Sequence, residues 1–163
     1  MAEEKTRQME IRLTVNGEEV KARVDPGLSL LSFLREDLGL AGTREGCGKG
    51  DCGNCTVLLD GQPALSCILF AFQAAGRSVT TIEGVSEKEK LAVIQECFID
   101  KGAIQCGFCT PAMILSGKAL LVRNPRPTRE EIREAISGVL CRCTGYKKIV
   151  DAIEETSLRQ GGG

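Results

Sequence analysis

The stretch Glu45-Gly-Cys-Gly-Lys-Gly-Asp-Cys-Gly-Asn-Cys-Thr-Val-Leu-Leu-Asp-Gly61 puts three cysteines on one glycine-rich loop. With Cys67 they give the spacing C-x4-C-x2-C-x11-C over Cys47, Cys52, Cys55 and Cys67. This is the plant-type pattern for a [2Fe–2S] cluster held by four thiolates. Zinc sites instead pair cysteines two by two on separate knuckles. A loop wrapping an anionic cluster must turn several backbone N–H groups inward, which demands unusual dihedrals and little side-chain bulk. Gly46, Gly48, Gly50 and Gly53 meet that demand.

Outward from this loop, the sequence reads as strands with one helix. Thr56 to Leu59 is a β-prone run that stops at an Asp60-Gly61 turn. Glu10 to Val15 alternates polar and apolar, and Asn16-Gly17 supplies a tight hairpin turn. Val20, Ala22 and Val24 form the return strand, which Pro26-Gly27 ends. Ser29 can cap a short helix with Leu30, Leu31, Leu34 and Leu38 on its apolar face. A further strand is expected over Ser78 to Ile82. A hairpin, a crossing helix and more strands describe a small β-grasp-like domain.

Beyond Gly84 the pattern becomes helical. Ser86 and Glu89 form a capping box ahead of Leu91, Ile94, Cys97 and Phe98. Thr110-Pro111 opens a second helix, with proline at the tolerated first position. Asn124-Pro125-Arg126-Pro127 breaks the chain, and Thr128 and Glu131 form a second capping box for a helix running towards Leu140. A last helix is expected from Tyr146 to about Leu158, with Gly161 to Gly163 as a frayed tail. The expectation is an α+β chain: residues 1–84 a small β-grasp-like domain carrying the first quartet, residues 85–163 a helical domain built as a four-helix bundle.

The helical half carries the second quartet, Cys106, Cys109, Cys141 and Cys143, spaced C-x2-C-x31-C-x-C. Cys106 and Cys109 precede one helix, and Cys141 and Cys143 follow another, so antiparallel packing would bring them together. The positive N-terminus of the Pro111 helix favours an anion there. Spacing alone leaves both [2Fe–2S] and zinc open for this quartet. Cys97, the ninth cysteine, lies on an apolar helix face and reads as a core thiol.

The totals narrow the chemistry further. With 163 residues, 42% hydrophobic and 26% charged, the chain can build an ordinary core. A net charge of −1 gives no reason to expect nucleic acid or an anionic membrane as partner. The chain has no membrane-spanning apolar run, and Met1 to Gln8 lacks the apolar core of a signal peptide, which points to the cytoplasm. An odd cysteine count without an export signal disfavours a disulfide scaffold. Histidine is absent, which excludes Rieske clusters, histidine-containing zinc fingers and the usual Ser/His or Cys/His nucleophile pairs.

Three blocks together resemble the iron–sulfur subunit of the molybdenum hydroxylases, the xanthine dehydrogenase and aldehyde oxidoreductase family. They are the Glu45–Gly61 stretch, Gln105-Cys-Gly-Phe-Cys-Thr-Pro111 and Leu140-Cys-Arg-Cys-Thr-Gly-Tyr146. The resemblance, running from about Glu10 to Glu155, implies a plant-ferredoxin-like domain and a four-helix domain, each with one [2Fe–2S] cluster. It also implies a large partner subunit carrying molybdopterin, contacted by the residues matching Gln105 and Cys143, and a medium subunit carrying FAD. Electrons would pass from molybdenum through the C-terminal and then the N-terminal cluster to the flavin, with no catalysis by this chain alone. Ala112, Val139 and Asn54 depart from the family's usual residues, and none is a ligand; at the last a smaller residue is common. Two other readings are a free-standing two-cluster ferredoxin shuttle and a zinc-stabilised interaction module. Gln105 and the helical domain argue against the shuttle, and a brown colour would end the zinc module.

Overall fold

The alternation near the N-terminus becomes β1 (Met9–Val15), which buries Ile11, Leu13 and Val15 on one face. It pairs antiparallel with β2 (Glu18–Val24), Val15 lying opposite Glu18. Asn16 and Gly17 between them are both left-handed, with φ of 52° and 88°. That combination gives the two-residue turn whose twist matches the flanking strands. A second such turn, Asp60-Gly61 with φ of 50° and 79°, joins β3 (Thr56–Leu59) to β4 (Gln62–Leu65). The structure is a computed structural model describing residues 8–86 and 90–161.

β5 (Ser78–Thr80) runs parallel to β1 and antiparallel to β3, closing a mixed sheet of order β2-β1-β5-β3-β4. Pro63 is tolerated in β4 because that strand lies at the sheet edge. β5 is shorter than the expected run to Ile82. The Thr81 N–H donates to Asn16 Oδ1 at 2.8 Å instead of to a strand, and Ile82–Gly84 turns as a 3-10 segment. α1 (Leu30–Ser32) is capped as expected, the Ser32 N–H donating to Ser29 Oγ at 3.0 Å. It continues as a π-type stretch, Phe33–Asp37, and buries Leu30, Leu31, Phe33 and Leu34.

β3 explains how sheet and helices are joined. All four of its residues are buried, as in a strand covered on both faces. Successive side chains point to opposite faces. Val57 and Leu59 therefore enter the core beneath α1 with Ile11, Leu13 and Phe33, while Leu58 enters the helical core with Phe98 and Met113.

The helical part contains α2 (Val93–Asp100), α3 (Thr110–Arg123), α4 (Arg129–Ile136) and α5 (Lys147–Gln160). α3 lies centrally, touching β3 and the three other helices, and is buried on nearly every side. Cys97 is fully buried in this core. The architecture is thus α+β, with five strands and five helices among the described residues.

Helix boundaries differ from expectation at three places. α2 starts at Val93, and Gln95 Oε1 accepts both the Ala92 N–H (2.8 Å) and the Ser86 hydroxyl (2.9 Å). Glu89 of the expected capping box lies outside the described residues, as do Met1 to Arg7 and Gly162 to Gly163. Pro111 is the second residue of α3, Cys109 being its cap. α4 stops at Ile136 rather than approaching Leu140, because the Leu140 N–H is taken by Cys52 O at 2.8 Å. The Thr128–Glu131 capping box forms as expected, with the Thr128 N–H donating to Glu131 Oε2 at 2.7 Å.

Candidate metal centres

The first quartet is gathered by one loop and the β3–β4 hairpin. Gly48, Gly50 and Gly53 are left-handed, with φ of 66°, 91° and 71°, and the loop doubles back on itself at these points. The N–H groups of Asp51 and Cys52 donate to Cys47 Sγ at 3.2 and 3.4 Å. Backbone N–H donors from Lys49, then Cys52, hold the Cys47 thiol down at about 6. Burial first, and the Cys55 thiol beside it second, push Cys67 up to about 11. Ser66, wholly buried, fastens this end of the hairpin, its hydroxyl donating to Cys55 O at 2.7 Å. On the other side, Arg35 Nη1 donates to Ala41 O and Thr43 O, fixing the chain as it enters the loop.

The second quartet is assembled from two distant segments. Cys106 and Cys109 lead into α3, while Cys141 and Cys143 occupy the turn between α4 and α5. Cys143 Sγ lies 3.6 Å from Cys106 Sγ, and that neighbouring thiol raises its pKa. Cys109 is pushed up to about 12 by burial and then by the adjacent Cys141 thiol. Burial opposes ionisation of Cys141, but hydrogen bonds from the Thr144 hydroxyl and N–H outweigh it and lower its pKa. Tyr146 sets this turn: left-handed at φ 65°, it accepts the Cys141 N–H at its hydroxyl (2.8 Å) and donates to Val139 O (3.4 Å).

Each expected quartet is therefore brought together, and in each the thiols stand as close pairs. All nine cysteines are unbonded to one another, and a 3.6 Å sulfur separation is far beyond a disulfide's. Among the described residues, no three His, Cys, Asp or Glu side chains converge as they would on one metal ion. A tetrahedral zinc needs four donors about a single point. A dinuclear cluster needs two pairs, one per iron, with N–H donors for its sulfurs. The donor sets fit the dinuclear group better on both counts.

The two centres adjoin across one seam. Besides the hydrogen bond from Leu140 N–H to Cys52 O, Gly53 lies so near the end of α4 that a Cβ there would be 2.0 Å from Gly138 O. A cavity of about 410 Å³ opens beside the second quartet, walled by its cysteines with Asn54, Phe108, Leu140 and Arg142. Of its walls, Phe108 and Leu140 are exposed, and Ile104 and Gln105, which precede Cys106 in the chain, are exposed as well. Ile68 and Phe70 are similarly exposed near the first quartet. A second cavity of about 510 Å³, between α4 and α5, contains no cysteine, and its Arg129 is engaged by Asp151 and Glu154. Sequence reading missed the Gly53–Gly138 contact, the Cys52–Leu140 hydrogen bond and the role of Tyr146. Only Tyr146 had a signal, its place at the end of the third cysteine block.

Comparison with known proteins agrees in both halves. Residues 13–78 match the family described as "2Fe-2S iron-sulfur cluster binding domain", and residues 81–154 that described as "[2Fe-2S] binding domain". The chain is 51% identical to the nicotinate dehydrogenase small FeS subunit of Eubacterium barkeri, over 88% of this chain and 91% of that one. It is 43% identical to the aldehyde oxidoreductase of Megalodesulfovibrio gigas, where the match spans 89% of this chain but only 16% of the longer one. The solved structure of quinoline 2-oxidoreductase from Pseudomonas putida 86 superposes with a TM-score of 0.91 at 46% identity, covering 95% of this chain and 96% of that one.

Proposed function

The chain belongs to the iron–sulfur subunits of the molybdenum hydroxylases, and we propose that it carries electrons from a molybdopterin subunit to an FAD subunit. The observation that carries this reading is the seam: two cysteine centres set back to back, with Cys52 O accepting the Leu140 N–H one residue before Cys141. A pair of one-electron centres joined through a short bonded route suits relay, and nothing in the chain supplies a general base of the usual kind.

In this reading Cys47, Cys52, Cys55 and Cys67 hold one [2Fe–2S] cluster, and Cys106, Cys109, Cys141 and Cys143 hold the other. Each cluster, when bound, supplies a one-electron carrier between the molybdenum centre and the flavin. The residues of the chain position and shield: the glycine loop directs N–H groups to Cys47, Tyr146 orients Cys141, and β3 ties the two halves together. We divide the chain into residues 1–84 and 85–163, with α2 to α5 as a four-helix unit. Gln105 and Cys143, both exposed, are the residues we assign to molybdopterin contact.

Partner faces follow from the same exposed residues. Ile104, Phe108 and Leu140 leave apolar surface around the second quartet, which suits a lasting subunit contact better than a shuttle's brief encounters. We assign that face to the large subunit, and the Ile68–Phe70 face to the medium FAD subunit. Reduced thiols in this number suit the cytoplasm, and among the described residues no helix is long and apolar enough to cross a membrane.

The test is electron paramagnetic resonance of the anaerobically reduced protein, with spins counted per chain. Two distinct signals approaching two spins per chain are expected. One signal would leave a quartet without its cluster and break the relay, and a colourless protein with none would sink the redox reading.

A further inference from the structure

Among the described residues, Thr144 Oγ1 is the only oxygen hydrogen-bonded to a cysteine sulfur. It stands 3.0 Å from Cys141 Sγ, whereas the other sulfur partners are backbone N–H groups and thiols. The Thr144 N–H meets the same sulfur at 3.5 Å. The hydroxyl is held from behind as well: Thr144 Oγ1 accepts the Tyr146 N–H at 3.2 Å, which leaves its own proton free to donate. The chain reaches this arrangement through Gly145 and Tyr146, both left-handed at φ 61° and 65°. A bulky residue such as tyrosine is strained there, and strain of this kind persists only where the surroundings enforce it. Iron-bound Cys141 would be a thiolate without a proton, so Thr144 is then the donor and the bond is charge-assisted. Both residues are half-buried, so water screens the bond only in part.

From this geometry, and resting on the two-cluster relay above, we propose that Thr144 is a positioning residue whose hydroxyl, acting through Cys141, raises the reduction potential of the second centre. Hydrogen bonds to the sulfurs are among the levers that set iron–sulfur potentials. Reduction adds a negative charge to a centre that is already anionic. A donor on a ligand sulfur therefore stabilises the reduced state more than the oxidised one. At the first centre the donors to Cys47 are backbone N–H groups of Asp51 and Cys52, which no side-chain change removes. At the second centre the nearest donor is a side chain, so one residue sets that potential without touching the other centre. No bond is broken and no proton is transferred.

The experiment measures both midpoint potentials in the full chain with its co-purifying subunits, each centre being followed by its own paramagnetic signal. Thr144→Val keeps the shape and the backbone N–H but removes the hydroxyl, and Thr144→Ser restores one. In Thr144→Val the partition of a single electron should move about tenfold away from the second centre, a fall of about 59 mV in its midpoint. Thr144→Ser should recover most of that fall, and the first midpoint should stay in place in both variants. An unchanged second midpoint in Thr144→Val, equal falls in the two variants, or equal falls at the two centres would overturn the proposal while leaving the relay intact. Should Thr144→Val not load its second centre, Thr144→Ala takes its place. A second centre that neither variant loads would mean that the hydroxyl retains the cluster rather than tuning it, which also overturns the proposal. A wild-type protein lacking two signals would overturn the relay and the proposal together.

Discussion

The two cysteine centres are built in opposite ways. The first takes its ligand candidates from one span, Cys47 to Cys67, and shapes that span with left-handed glycines and N–H donors only a few residues away. The second takes them from segments thirty-one residues apart, and holds them by the start of α3, the end of α4 and the Tyr146 hydroxyl. A locally encoded site survives as long as its own loop does. An assembled site inherits every weakness of the helices that bring it together. The two should therefore fail differently, except at the seam they share.

Gly53 should give the largest effect, because there the distinction breaks down. Its φ of 71° already disfavours any side chain, and an added Cβ would stand 2.0 Å from Gly138 O and 3.0 Å from Val139 Cα. Both neighbours are backbone and cannot swing aside. Left-handed strain and overpacking each cost about 1–3 kcal/mol, so Gly53→Ala should lose about 3 kcal/mol or more. Gly61→Ala is the control: its φ is 79° but nothing lies within 4 Å of the added carbon. Thermal melting and iron content would compare the two variants. Gly53→Ala should melt much lower and lose iron from both centres, although the substitution lies in the first loop. Equal behaviour of the two variants would show a soft seam and independent centres.

This contrast also explains what could be read from sequence. The first loop was legible because its spacing, glycines and flanking turns are neighbours in the chain, and β1, β2, β3 and the Asp60-Gly61 turn follow the same local rules. The Thr128–Glu131 box was legible for that reason too. The start of α2 was not, because Gln95 caps it through Ala92 and Ser86, a choice made by folding rather than by the Ser-x-x-Glu pattern. The end of α4 was hidden as well, since Leu140 gives its N–H to a loop almost ninety residues earlier. Spacing alone could not settle the second quartet between zinc and [2Fe–2S], because both take four cysteines; the match of residues 81–154 to a [2Fe-2S] binding domain favours the cluster. Leu58, read as one residue of a strand, belongs to the helical core only because the strand is covered on both faces.

A smaller effect should separate the two centres cleanly. Tyr146→Phe removes the oxygen that accepts the Cys141 N–H and leaves that donor unpaired in a half-buried turn. A loss of about 1–2 kcal/mol is expected. The paramagnetic signal of the second centre should broaden or lose intensity while the first is unaltered. Equal damage to both signals would mean that the seam, not the turn, transmits the change.

The smallest effect sharpens the comparison by working at a distance from any cysteine. Thr128 caps α4 and Ser29 caps α1, so each supports the approach to one centre. Replacing either by alanine should cost about 1 kcal/mol. Thr128→Ala should weaken iron retention at the second centre, and Ser29→Ala should leave that centre alone. Acid adds a second readout. The Thr128 N–H, and then its hydroxyl, hold the Glu131 carboxyl below its ordinary 4.5. A group with a lowered folded pKa stabilises the fold above its unfolded value and loses that contribution as pH falls through the folded one. The intact protein should thus shed part of α4's stability only below about pH 4.5. In Thr128→Ala that part is reduced at neutral pH, so its melting temperature should change less steeply with acid than the wild type's. Parallel acid profiles for the two proteins would mean that the backbone N–H at position 128, which alanine keeps, holds the Glu131 carboxyl without the hydroxyl, and that the assembled centre is less dependent on the Thr128 side chain than its construction implies.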